Sequence, residues 1–184
     1  MILLVSVCSE KFGENEFVRP VQSILANANI SCSTRHYTEL RDGNVHKSEK
    51  AIICGTALKD FGYLANMDRF EWLKKFEKPV LGICAGYQII LTIFSNKIVE
   101  KTRIGQFKVN ILHENKLTTN KEFYSYFLNS RDSNTQKHFI VLAKTRDSVC
   151  MVKHENKEIY GCLFHPEALN QEIIANFASS RQST

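Results

Sequence analysis

The apolar positions of this chain fall into short runs that alternate with stretches of helical spacing. Met1-Ile-Leu-Leu-Val-Ser-Val7 is an apolar run of strand length. Phe17, Val18, Val21, Ile24, Leu25 and Ala28 then recur at the period that places all six on one face of a helix. Pro20 belongs in that helix's first turn, because deeper inside it would remove a hydrogen bond. Lys50 to Thr56 (KAIICGT) reads as a second strand ending in Gly55, buried on both faces. Met67, Phe70, Trp72, Leu73 and Phe76 predict a helix, and Pro79 to Ile83 a third strand. This alternation indicates a parallel sheet with helices on both faces.

The second half changes character. Ile104 to Leu112, His138 to Ala143, Ser148 to Lys153 and Glu158 to Phe164 all read as strands with little helix between them, an antiparallel extension of the same sheet. The polar stretch Asn129 to Lys137 (NSRDSNTQK) predicts a loop. Leu169, Ile173 and Phe177 fall on one face of a last helix, and the Arg-Gln-Ser-Thr tail is expected to fray. The expected fold class is therefore α/β: three layers, a mixed, mostly parallel sheet with an antiparallel extension, and one domain over residues 1–184.

Composition agrees with one core: 184 residues, 43% of them hydrophobic. No window approaches the roughly 18 consecutive apolar residues of a membrane span. The apolar start lacks a basic leader, so it reads as a strand and not a signal peptide, and a cytoplasmic location is expected. The net charge of +5 comes from basic residues interleaved with 19 acids, which argues against a nucleic-acid surface. Six cysteines without a CxxC pair suggest buried thiols, at most one or two of them reactive. The six histidines show no zinc-ligand spacing, so neither a metal nor a cofactor is expected.

The chemistry concentrates in two segments. Pro79-Val-Leu-Gly-Ile-Cys-Ala-Gly-Tyr-Gln88 is a buried strand running through Gly82, Cys84 and Gly86 into an apolar helix (Ile89, Ile90, Ile93, Phe94). Small residues on either side of Cys84 permit the strained turn of a nucleophile elbow, and a helix N-terminus favours a thiolate. Gly161-Cys-Leu-Phe-His-Pro-Glu167 places His165 and Glu167 two apart on an extended chain, so both side chains leave the same side. A carboxylate so placed can orient an imidazole that takes the cysteine proton. A buried core thiol and a strand-ending turn are the bland alternatives for the two segments.

Together these segments, with Ile104-Gly105 and Glu172-Ile-Ile-Ala-Asn-Phe177, resemble the class I glutamine amidotransferase family, the glutaminase domains that feed ammonia to enzymes such as GMP synthase and anthranilate synthase. The resemblance implies a flavodoxin-like fold, a Cys84, His165 and Glu167 triad, Gln88 beside bound L-glutamine, and ammonia passed to a synthase subunit. That acceptor would be a separate protein, since the chain shows no P-loop. Attack on the glutamine amide builds an oxyanion, for which the Ala85 and Gly55 N–H groups are the candidate donors. The chain departs from the family at Cys54-Gly-Thr-Ala57, where a Gly-Gly-Pro turn is usual, and near Tyr124 to Ser130, which lacks the usual Ser-His or His-Asn pair. Two other readings stand beside this one: a stand-alone cysteine hydrolase of the γ-glutamyl hydrolase or DJ-1-like type, and a non-catalytic regulatory module of the same fold.

Overall fold

A computed structural model of the chain describes residues 1–180. Arg181 to Thr184, the expected fraying tail, lie outside the described residues. Among the described residues there are nine strands: β1 (Ile2–Ser6), β2 (Cys32–His36), β3 (Lys50–Ile53), β4 (Val80–Ile83), β5 (Ile98–Ile111), β6 (Glu122–Ser133), β7 (Phe139–Lys144), β8 (Val149–His154) and β9 (Ile159–Cys162). The helices are α1 (Glu14–Phe17), α2 (Arg19–Asn27), α3 (Asp42–Lys47), α4 (Trp72–Lys75), α5 (Ala85–Ile93), α6 (Pro166–Leu169) and α7 (Gln171–Ser179). All nine strands join one sheet in the order β2-β1-β3-β4-β9-β8-β7-β5-β6. The first five run parallel and the rest are added antiparallel. The fold is α/β with a mixed sheet, as the alternation of patterns indicates.

Burial follows the pattern. β1, β3, β4 and β9 are buried along their whole length, which is why they read as continuous apolar runs. Five of the six residues assigned to the first helical face, Phe17 through Leu25, are in the core, while Ala28 is exposed just past the helix end. The helix itself is two, α1 and α2, with Pro20 in the first turn of the second.

Three expectations need correction. Gly62–Phe70 is a 3-10 segment, not part of an α-helix, and only Trp72–Lys75 is α-helical. The break is at Asn66, whose side chain donates to the Gly62 carbonyl at 2.8 Å while its backbone leaves the helical region. The proposed loop at Asn129 to Lys137 is strand as far as Ser133, because β5 begins at Ile98 and supplies backbone partners for it. The third is an omission: β2, which the apolar pattern does not predict, is a polar edge strand, mostly half buried, with no apolar run to announce it.

Polar side chains inside β6 are explained by a buried ion pair. Arg103 and Asp132 meet at 3.2 Å, their side chains 7% and 2% exposed, and Arg103 also donates to the Ser148 hydroxyl. The pair joins β5 to β6, and the Ser148 bond ties that hairpin to the residue just before β8. At the other end of the molecule the Lys50 ammonium donates to the Phe177 and Ala178 carbonyls, both at 2.7 Å, closing the C-terminus of α7 onto β3. Asp132→Asn leaves the Arg103 charge buried without a counter-charge and should cost about 3–5 kcal/mol in urea unfolding. A double replacement by apolar residues of similar size should recover most of that loss.

Candidate active site

Cys84 follows β4 and precedes α5, with φ 50° and ψ −98°. A non-glycine residue in this conformation carries about 1–3 kcal/mol of strain and persists only where its surroundings enforce it. Two constraints do so. The Cys84 N–H donates to the Cys162 carbonyl at 2.8 Å, extending the β4–β9 ladder to the turn. The start of α5 also lies hard against the sheet: a methyl group at Gly86 would fall 2.3 Å from the Ile53 carbonyl oxygen, and one at Gly82 would fall 2.5 Å from Gly86 backbone atoms. Both glycines are needed for that approach.

His165 leaves the sheet just beyond β9 and is the residue before α6, with Pro166 opening the helix and Glu167 in its first turn. The His165 Nδ1 to Glu167 Oε1 distance is 2.7 Å, and both side chains are 4% exposed. The His165 ring packs against Phe17, centroids 5.5 Å apart. His165 Nε2 is buried and without a hydrogen-bond partner among the described residues. Gly55, just after β3, lies against both halves of the arrangement: a methyl there would sit 2.7 Å from His165 Cε1 and 3.4 Å from Cys84 Cβ. Cys84, His165, Glu167 and Gly55 are therefore brought together, with Ala85 at the first position of α5, where a helix has no internal acceptor for its N–H. Gln88 lies one turn further along α5, its Oε1 accepting from the Tyr63 hydroxyl at 2.6 Å and its Nε2 donating to the Arg131 carbonyl at 3.2 Å.

Burial opposes protonation of His165, but the charges of Cys84 and Glu167, with the bond to Glu167, overcome it and hold the imidazole well above its ordinary value. Burial raises the pKa of the Cys8, Cys32, Cys54, Cys150 and Cys162 thiols. Among the described residues no group of three or more His, Cys, Asp or Glu side chains is arranged to hold a metal ion, and no helix is long and apolar enough to cross a membrane. What the arrangement can do is move a proton from a thiol to an oriented imidazole at the start of a helix.

The family model for glutamine amidotransferase class-I matches residues 15–178. The chain belongs to that family. It is 27% identical over 182 residues to a GMP synthase [glutamine-hydrolyzing] of Ehrlichia canis, an alignment covering 89% of this chain and 34% of that one. It is 33% identical over 117 residues to a GMP synthase [glutamine-hydrolyzing] subunit of Methanosphaera stadtmanae, covering 58% and 63%. The chain thus spans about a third of the first relative and under two thirds of the second. Two crystal structures share the fold: a GMP synthase subunit protein of Thermoplasma acidophilum (TM-score 0.82, 18% identity, 97% of this chain and 92% of that one) and a glutamine amidotransferase of Thermotoga maritima (TM-score 0.72, 13% identity, 97% and 90%).

In this family member one strand that the sequence pattern missed crosses the site. The carbonyl of Tyr126 in β6 accepts the His165 N–H at 2.8 Å, the carbonyl of Leu128 takes the Cys84 thiol at 3.6 Å, and that of Arg131 takes Gln88. Ser130 Oγ donates to the Leu58 carbonyl at 3.0 Å, and the Arg131 guanidinium stacks 4.2 Å over the Phe61 ring. Beneath this cover the space at Cys84 is about 10 Å³, room for one water at most. Backbone carbonyls leave no trace in a residue pattern, which is why β6 gave no signal. Tyr63, which holds Gln88, gave none either.

Two outcomes follow. Gly86→Ala should destabilise the fold by about 1–3 kcal/mol in urea unfolding, because backbone must move to admit the methyl. His165, with a folded-state value above its ordinary 6.5, contributes stability that is fully present below about pH 6.5 and lost as pH rises through the folded value. Unfolding free energies measured across pH should show that loss in the wild type and a smaller one in Glu167→Gln.

Proposed function

We propose that this chain hydrolyses L-glutamine to glutamate and ammonia at Cys84 and hands the ammonia to a separate synthase subunit. The observation that carries the reading is the 2.7 Å contact between His165 Nδ1 and Glu167 Oε1 with Gly55 packed against both His165 and Cys84. In this scheme the thiol turns from the Leu128 carbonyl to His165 Nε2 and gives it the proton, leaving the thiolate–imidazolium pair whose mutual attraction raises the imidazole's pKa. The sulfur then bonds to the glutamine amide carbon. The resulting oxyanion is met by the Gly55 and Ala85 N–H groups, each worth about 2.7–4 kcal/mol of barrier. The nitrogen leaves as ammonia with the proton from His165, and a glutamyl thioester remains on Cys84. Water, losing its proton to His165, attacks the thioester, and glutamate departs as the thiol is restored. Glu167 keeps the imidazole oriented throughout, and Gln88 holds the glutamine.

The names of the relatives support a synthase such as GMP synthase as the acceptor. The strand order β2-β1-β3-β4-β9 of the parallel half supports a flavodoxin-like, three-layer reading with helices on both faces. Residues 1–184 are read as one domain working in the cytoplasm. The small space at Cys84 favours a site that opens when the acceptor docks. Glutamate release should therefore be low for the chain alone and rise with its synthase subunit. Cys84→Ala should abolish release, and His165→Ala should lower kcat by about 10²–10⁴-fold, the usual share of general acid–base catalysis. Full turnover by Cys84→Ala, or hydrolysis of γ-glutamyl peptides in preference to glutamine, would overturn the assignment.

A further inference from the structure

Glutamine brings two ends to an enzyme: the γ-amide that the nucleophile attacks, and an α-carbon bearing an ammonium and a carboxylate. A carboxylate leaving water needs a cation or several donors in return. Among the residues bounding the space at Cys84 the charged side chain is Asp60. Its oxygens already accept from Ser9 N, Ser9 Oγ, Thr56 Oγ1 and Gly62 N, which holds it anionic and makes it a clamp between the loops after β1 and β3. An incoming carboxylate has nothing to gain from it.

Arg131 supplies the missing charge. Its guanidinium lies 4.2 Å over Phe61, one of the residues that bound the space, and its own carbonyl accepts from Gln88. Arg131 Nε is buried without a hydrogen-bond partner among the described residues. Its contact with an acid is with Glu100 at 3.9 Å, a carboxylate 86% exposed and so well screened. The Tyr63 phenol registers the arrangement: burial raises its pKa, the charge of Cys84 raises it further, and that of Arg131 opposes them. Nucleophile and guanidinium thus act on one hydroxyl.

From amide carbon to carboxylate carbon an extended glutamine spans about 5 Å at ordinary bond lengths. Leu128, whose carbonyl touches Cys84 Sγ, and Arg131 belong to the same strand, three residues apart, so one strand offers contacts to both ends of such a substrate. The planar guanidinium suits a bidentate contact with a carboxylate.

We propose that Arg131 anchors the α-carboxylate of glutamine and so sets specificity for the free amino acid over glutamine whose α-carboxyl is blocked. This rests on Cys84 acting as a glutaminase nucleophile. The test uses the chain together with whatever synthase subunit its activity requires. Arg131→Ala should raise KM for glutamine by about tenfold or more with kcat within about twofold, the pattern of lost substrate binding, and Arg131→Lys should restore part of it. A second arm needs no variant: L-glutamine α-amide, which keeps the γ-amide but lacks the carboxylate, should be a poor substrate for the wild type. Arg131→Ala should then treat the two compounds alike. Alkylation of Cys84 by iodoacetamide in each variant reports that the fold and thiol are intact. Equal kcat/KM for both compounds in the wild type, or an unchanged KM in Arg131→Ala, overturns the assignment of Arg131. Absence of any glutamine turnover by the wild type overturns the glutaminase reading itself, a separate result.

Discussion

The site depends on how closely the first turn of α5 approaches the parallel strands. Gly86 against the Ile53 carbonyl, and Gly82 against Gly86, bring the helix start to a distance that no side chain at either position could tolerate. At that distance the chain between β4 and α5 can pass only through a sharp turn, and Cys84 takes up the strain with its positive φ. The N–H of Cys84 remains in the β4–β9 ladder, so the turn is held at both ends. Everything else is arranged around this fixed point. Gly55 comes from the strand on one side of β4, and His165 with Glu167 from the strand on the other.

The antiparallel half provides the cover. β5 and β6 form a long hairpin, pinned by the Arg103–Asp132 pair, and β6 lies at the sheet edge. Its carbonyls reach His165, Cys84 and Gln88 in turn. A bulge between Glu100 and Arg103 in β5 faces the same stretch of β6, where the ladder is already interrupted. The hairpin is thus pinned at Asp132, and its ladder resumes at Asn129, next to the Leu128 carbonyl that reaches Cys84.

Much of this was legible in the residues. The four inner parallel strands β1, β3, β4 and β9 are buried on both faces and so appear as near-continuous apolar runs, and the turn at Cys84 and the His165-Pro166-Glu167 segment are local in sequence, so their spacing singled out three residues that the fold brings together. Gly55 needed the knowledge that β3 neighbours β4. The rest was hidden for identifiable reasons. β2 is a half-buried polar edge. The latter part of β6 carries Asn129 and Asp132, polar residues buried because Arg103, Lys101 and Arg131 supply their partners. Without that pairing, a run such as NSRDSNTQK reads as solvent-exposed loop. The helix expected around Phe70 failed because Asn66 bonds back to Gly62, a competition that apolar spacing does not register.

The contacts that β6 makes with the site through its backbone bear on how such a chain can diverge. Every residue type has the carbonyl oxygen that reaches His165 or Cys84 from positions 126 and 128. Substitutions at those positions can remodel the outward surface of the strand, where Tyr124 is 60% exposed, while the carbonyls that reach His165 and Cys84 stay chemically unchanged. The outward face of the strand is therefore free to drift, limited by its register against β5 more than by its letters.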